Sequence, residues 1–107
     1  MMSLKSIFEI QARLCKWMGH PVRFEILHSL RGGPKCVGEL AELLRQPQSM
    51  ISRHLSVLRI AGIVLADHQG QNNYYRVANQ KLLNVCDLMR EVLEEQSAHE
   101  AKLAREM

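Results

Sequence analysis

The stretch Pro47–Val64, PQSMISRHLSVLRIAGIV, decides how this chain is read. Ile51, Leu55 and Leu58 recur at spacings of four and three, which puts them on one face of a helix. Offset by about half a turn are Ser49, Ser52 with Arg53, Ser56 and Arg59. A solvated helix face ordinarily carries long Glu and Lys. This one carries Gln48, three serines, two arginines and no acid between residues 48 and 59. Gly62 sits where a left-handed helix end belongs, so the helix should run from Pro47 to about Ala61.

Working outward, residues 36–45 read as a shorter helix with Val37, Leu40, Leu43 and Leu44 inward. Glu39 stands three residues after the cap position, as a capping box requires, but Cys36 takes the place of the usual Ser or Thr. A thiol is a weak acceptor, so this cap should be poorer than serine. Only Arg45-Gln46 or so separates the two helices, with Pro47 suited to the first helical position. Before them, residues 21–31 form a helix burying Val22, Ile26, Leu27 and Leu30, opened by Pro21 and ended by Gly32-Gly33-Pro34. Residues 4–18 make an amphipathic helix with Leu4, Ile7/Phe8, Leu14/Cys15 and Met18 in a stripe and Trp17 beside it. After Gly62, Ile63–His68 and Asn73–Ala78 read as two strands joined by a turn at Gln69–Asn72. Tyr74 and Tyr75 must point to opposite faces of the second, one of them into the core. A last helix, about 79–104, carries Leu82, Leu83, Cys86, Met89 and Leu93.

At 107 residues the chain is expected to be one domain with a mainly aliphatic core, since it has only two Tyr, two Phe and one Trp. Net charge is +3, unevenly spread. Residues 1–78 hold ten Lys/Arg and five Asp/Glu; residues 79–107 hold four and six. A basic body with an acidic tail fits a polyanionic partner on the body. Three cysteines without a CxxC pair make a poor disulfide framework. No signal peptide or membrane span is evident, so a cytoplasmic protein with reduced thiols is expected. A glycine-rich phosphate loop, an HExxH and a nucleophile elbow are all missing, so no enzyme is expected.

Two short helices with a tight connection, the second lined with short polar and basic groups, make a helix-turn-helix. The following hairpin makes it winged. The DNA major groove admits one α-helix and offers donors and acceptors to short amides, hydroxyls and guanidinium groups. The expected DNA contacts are Gln48, Ser49, Ser52, Arg53 and Ser56 from the helix, with Arg76 from the wing. His54, at the edge of the apolar stripe, is a candidate for phosphate contact or for helix packing. The first and last helices carry stripes that one small core cannot cover, so a two-fold dimer through them is expected.

The runs HPVRFEILHSL (20–30), VGELAELL (37–44), QSMISRHLSVLRIAGIV (48–64) and NNYYRV (73–78), in this order and between outer helices, resemble the ArsR-type (arsenical-resistance repressor) winged-helix family of bacterial and archaeal regulators. The resemblance implies a mainly α fold with a small β-hairpin: a helix-turn-helix at about 36–61, a wing at about 63–78, and dimerisation helices at about 4–18 and 79–104. It further implies a homodimeric repressor on double-stranded operator DNA, released by an effector.

The effector candidates rest on sulfur. Arsenite-sensing members often carry a CVC-type run, but here it is Cys36-Val37-Gly38 and lacks its second cysteine. Members that sense zinc from the last helix use an Asp/His set; Asp87 and His99 are present, but Met89 and Lys102 occupy its other positions, so that site is rejected. What remains is As(III) or Sb(III) on Cys15, Cys36 and Cys86, within one subunit or across two. Cys15 and Cys86 lie on apolar stripes and can equally be small hydrophobes; Cys36 follows Lys35 at a helix start, which favours a reactive thiol. A dithiol redox or persulfide switch competes with the metalloid. From another class, a winged-helix protein-interaction module without DNA binding is the alternative, and the acid-free flank argues against it.

Overall fold

The computed structural model describes residues 3–106, so the outermost residues of the expected 1–107 unit lie outside the described residues. The order is α1 (Leu4–Met18), α2 (Pro21–Ser29), a 3-10 turn (Leu30–Gly32), α3 (Val37–Leu44), α4 (Gln48–Ile60), β1 (Val64–Gln69), β2 (Asn72–Val77) and α5 (Gln80–Glu106). It is the mainly helical, hairpin-bearing architecture expected, with boundaries shifted by one or two residues. α2 ends before Arg31 because the chain tightens into the 3-10 turn, after which Gly33 opens it. Pro47 is not the first helical residue of α4 but the residue before it, with an extended ψ of 141°.

Local chemistry explains these limits. Ser3 caps α1 by accepting the Ser6 N–H (3.2 Å). His20 caps α2 with its ring, Nδ1 accepting the Val22 N–H (3.1 Å), ahead of Pro21. α4 closes in a Schellman motif: Ile63 N–H returns to Leu58 O (2.9 Å) and Gly62 N–H to Arg59 O (3.0 Å), with Gly62 at φ 76°. α3 closes the same way, Gln46 N–H to Ala41 O (3.0 Å), but the left-handed residue is Arg45 at φ 54°.

The core gathers Ile26, Leu27 and Leu30, Leu40, the α4 stripe Ile51, Leu55 and Leu58, then Ile63, Val64, Tyr75, Val77 and Leu83. Tyr75 is the tyrosine that faces inward, and Tyr74 is half-buried on the other face. Leu43 corrects the sequence reading: it is 57% exposed, because the eight-residue α3 packs through Leu40 and Ala41 with Val37 and Leu44 at the edge. β1 and β2 pair antiparallel, Val64 opposite Val77 and Gln69 opposite Asn72, around the two-residue turn Gly70-Gln71. Lys35 adds to the hairpin: its N–H reaches Tyr75 O (3.1 Å) and its carbonyl accepts the Tyr75 N–H (2.8 Å). That bridge ties the approach to α3 to the wing. No helix among the described residues is long and apolar enough to cross a membrane.

Candidate nucleic-acid interface

α4 divides cleanly. Ile51, Leu55 and Leu58 are fully buried, whereas Gln48, Ser49, Ser52, Arg53, Ser56 and Arg59 are exposed. One helix therefore brings five of the seven expected contact residues to one solvent-facing flank. α4 has no acid in its first turn and no side chain capping its start, which keeps that end electropositive. The ion pairs among the described residues are Arg31–Asp87, Arg90–Asp87 and Arg76–Asp67, so neither Arg53 nor Arg59 is neutralised by a carboxylate. Ser56 Oγ donates to Ser52 O (3.0 Å), which leaves its lone pairs rather than its proton for an outside partner. The Gln48 amide nitrogen lies 3.8 Å from where a Cβ on Gly38 would stand, an ordinary contact distance, so Gln48 sits beside the first turn of α3.

Two expected residues are placed differently. Arg76 is on the outward face of β2, but its Nε donates to Asp67 Oδ2 of β1 (2.9 Å). Both side chains are nearly half exposed, so the pair is labile in water. His54 is half-buried against α2, where Arg23 donates from Nε to its Nδ1 (3.2 Å) and the His20 ring lies 4.4 Å away. Burial first, and then the positive charges of His20, Arg23 and Arg53, hold His54 below the usual imidazole range. Arg23 and His20 had no signature in the sequence, because no periodicity links residues so far from His54 along the chain.

The cysteines do not converge within one chain: among the described residues no group of three or more His, Cys, Asp or Glu is placed to hold a metal ion. Cys15 is exposed on α1, Cys36 half-buried at the start of α3, and Cys86 half-buried on α5. Cys86 lines an apolar cavity of about 290 Å³ between α2 and α5, beside Phe24, Leu83, Met89 and Leu93. Burial there, and the neighbouring Asp87 carboxylate, push its thiol up and oppose the thiolate a soft ion needs. At the other site, the Cys36 N–H donates to Glu39 Oε1 (3.1 Å). That bond, then the Cys36 thiol, draws the Glu39 carboxyl below its ordinary range. Asp87, rejected above as a zinc ligand, receives Arg31 in a bidentate pair and Arg90 at 3.4 Å.

The family model described as "Bacterial regulatory protein, arsR family" matches residues 20–65, from the cap of α2 through α4 into β1. The uncharacterised HTH-type transcriptional regulator MJ1325 of Methanocaldococcus jannaschii is 35% identical over 86 residues, which cover 79% of this chain and 97% of that protein. The chain belongs to the ArsR family. This ArsR-family chain is also 33% identical over 81 residues to the HTH-type transcriptional repressor SmtB of Mycobacterium tuberculosis, of whose length the match spans 60%. Its fold matches the homodimeric winged helix-turn-helix DNA-binding domain of Mb0332 from Mycobacterium bovis, a possible ArsR-family transcriptional regulator. The TM-score is 0.77 at 26% identity, covering 89% of this chain and 90% of that one. The family is one of regulatory proteins, in keeping with the lack of catalytic motifs in the sequence.

Proposed function

We propose that this ArsR-family chain is a homodimeric transcriptional repressor that binds double-stranded operator DNA through α4 and the β1–β2 wing. The observation that carries the proposal is the acid-free, solvent-facing flank Gln48–Arg59, backed by a fully buried apolar stripe. Short side chains let the helix backbone approach the base edges, and Arg59, with no carboxylate partner among the described residues, supplies charge toward phosphate. Gln48, Ser49, Ser52, Arg53 and Ser56 are assigned to the groove. Arg76 is assigned to the phosphate backbone at the cost of its bond to Asp67. His54 acts from behind the helix. A dimer through α1 and α5 is supported by their exposed apolar residues, among them Phe8, Val85, Leu88 and Val92. It would set two copies of α4 one helical turn apart, roughly 34 Å.

The test is a gel shift with DNA from upstream of the protein's own gene, run from about 50 to about 200 mM salt. A repressor that neutralises phosphates loses affinity steeply over that range, because bound counterions are released. A protein-interaction module leaves the DNA unshifted throughout.

The effector belongs to the same proposal. One chain does not assemble a three-sulfur site, so As(III) or Sb(III) fits only as a ligand shared between copies. Cys15 on α1 and Cys86 on α5 lie on the two helices assigned to the dimer. Arsenite titration of the DNA complex, with each Cys→Ser variant beside the parent, decides it. Normal release by all three variants removes sulfur from the mechanism. Release by peroxide or persulfide but not arsenite gives the switch to thiol oxidation.

A further inference from the structure

Behind the exposed flank of α4, one guanidinium gathers three helices. Arg23 of α2 donates from Nε to His54 Nδ1 on α4 (3.2 Å) and from Nη1 to the Trp17 carbonyl at the end of α1 (2.8 Å). The His20 ring, tilted 43° to that of His54 at 4.4 Å, accepts the Val22 N–H at its own Nδ1 (3.1 Å). Both rings thus serve as acceptors at Nδ1, which only a form unprotonated at that atom can do. His54 is flanked in sequence by Arg53, assigned above to DNA, so whatever fixes His54 fixes the heading of that arginine.

We propose that His54 is a positioning residue for the DNA-facing flank of α4, and that with Arg23 and His20 it forms a latch opened by a proton. The proposal rests on the DNA-binding assignment above. A proton on His54 Nδ1 sets N–H against the Arg23 Nε–H, so the hydrogen bond is lost and two donors face each other. The charged or titratable groups that act on the ring are His20 and Arg23 from the α2 side and Arg53 on its own helix; α1 contributes a carbonyl through Arg23. No carboxylate is among them to receive the new charge. The lowered affinity of His54 for protons, caused mainly by burial, agrees with a site built around the neutral ring. Protonation therefore loosens α4 on α2 and weakens DNA binding. An extra cation on a polyanion-binding surface would by itself do the reverse, so the sign of the pH effect separates the latch from simple charge.

Two measurements on the full chain test this, each from about pH 7.5 to about 5.5, across the imidazole range. In NMR spectra, the Arg23 Nε–H and the backbone amides of residues 49–56 should shift with the same midpoint as the His54 ring. A ring that titrates while those signals stay put overturns the latch. In fluorescence anisotropy with the upstream DNA at fixed ionic strength, the affinity of the parent should fall several-fold on acidification. His54→Asn keeps an acceptor oxygen for Arg23 but cannot titrate, so whatever its affinity at the higher pH, that affinity should change far less on acidification than the parent's. Arg23→Met removes the donor from the other side and should weaken binding at both. Affinity that rises on acidification, or a His54→Asn profile that copies the parent, overturns the proposal. NMR coupling without DNA binding at either pH overturns the DNA assignment and supports the latch between α2 and α4. DNA binding without the coupling overturns the latch alone.

Discussion

Arg53 and Arg76 carry the same charge into unlike surroundings, and that difference predicts how their loss reads out. Arg53 projects from the exposed flank of α4 with no carboxylate partner among the described residues, where a bidentate contact with a base is within its chemistry. Arg53→Ala is expected to cost about 1–3 kcal/mol in specific binding and to relax the choice of base at one position of the site. Arg76 already spends its Nε–H on Asp67 in the free protein. Arg76→Ala should weaken binding to all sequences alike and lower the slope of log affinity against log salt by about 1. Competition gel shifts with a panel of single-base operator variants, repeated at several salt concentrations, distinguish the two patterns. Relaxed specificity on losing Arg76 rather than Arg53 would reverse their roles. The exposure of Arg53 was legible in the sequence because it sits opposite Ile51, Leu55 and Leu58 on a helical wheel. The engagement of His54 was not, since its partners come from residues 20 and 23, and only the packed fold brings them together.

Elements were legible wherever their ends had chemical markers. Pro21, Gly62 and the Gly70 turn each bracketed a segment that the structure bears out within a residue or two. Gly62 adopts a positive φ, as its place past α4 implied. Where the marker was the wrong residue type, the sequence was silent. Arg45 takes the same left-handed conformation after α3, at φ 54°, ψ 46°, though a β-carbon is unfavourable there. The Lys35–Tyr75 bridge was equally hidden, because one residue of pairing leaves no alternation to detect. Leu43 misled for a related reason: in a helix of only eight residues the apolar stripe is wider than the contact it makes. The strain at Arg45 supports a prediction of gain. Relieving a left-handed non-glycine residue recovers on the order of 1–3 kcal/mol, against roughly 0.5–1 kcal/mol of added freedom in the unfolded chain. Arg45→Gly should therefore stabilise the protein by about 1 kcal/mol. Urea unfolding would show a higher midpoint at unchanged slope. A lower midpoint would mean that the arginine side chain holds the turn by contacts worth more than the strain.

At the scale of the molecule, the two outer helices are built for more surface than one chain can cover. α5 is 27 residues long, yet Leu83 is its one fully buried side chain. Phe8 on α1 and Leu88 on α5 are each 60% exposed, and Leu4, Val85, Val92 and Leu93 lie open with them. Val85, Leu88, Val92 and Leu93 line one apolar depression on α5, and exposed apolar surface of that kind on a protein this small marks an association face. It also explains why a compact three-helix core with a hairpin carries two long appendages, giving extents of 59 × 42 × 21 Å. Substitutions at these exposed positions should cost the fold of one chain little, within about 0.5 kcal/mol. Phe8→Glu combined with Leu88→Glu is therefore expected to yield a folded monomer, with helical circular dichroism kept and mass halved in sedimentation equilibrium. Its DNA binding should fall far more than Arg53→Ala alone produces, because each α4 must then find its half-site unaided. A charged pair that leaves the dimer intact would place the interface elsewhere, and the spacing of the two recognition helices would have to be derived anew. A monomer that still binds with parental affinity would mean that one α4 and one wing supply all the recognition, and that the outer helices serve some other partner.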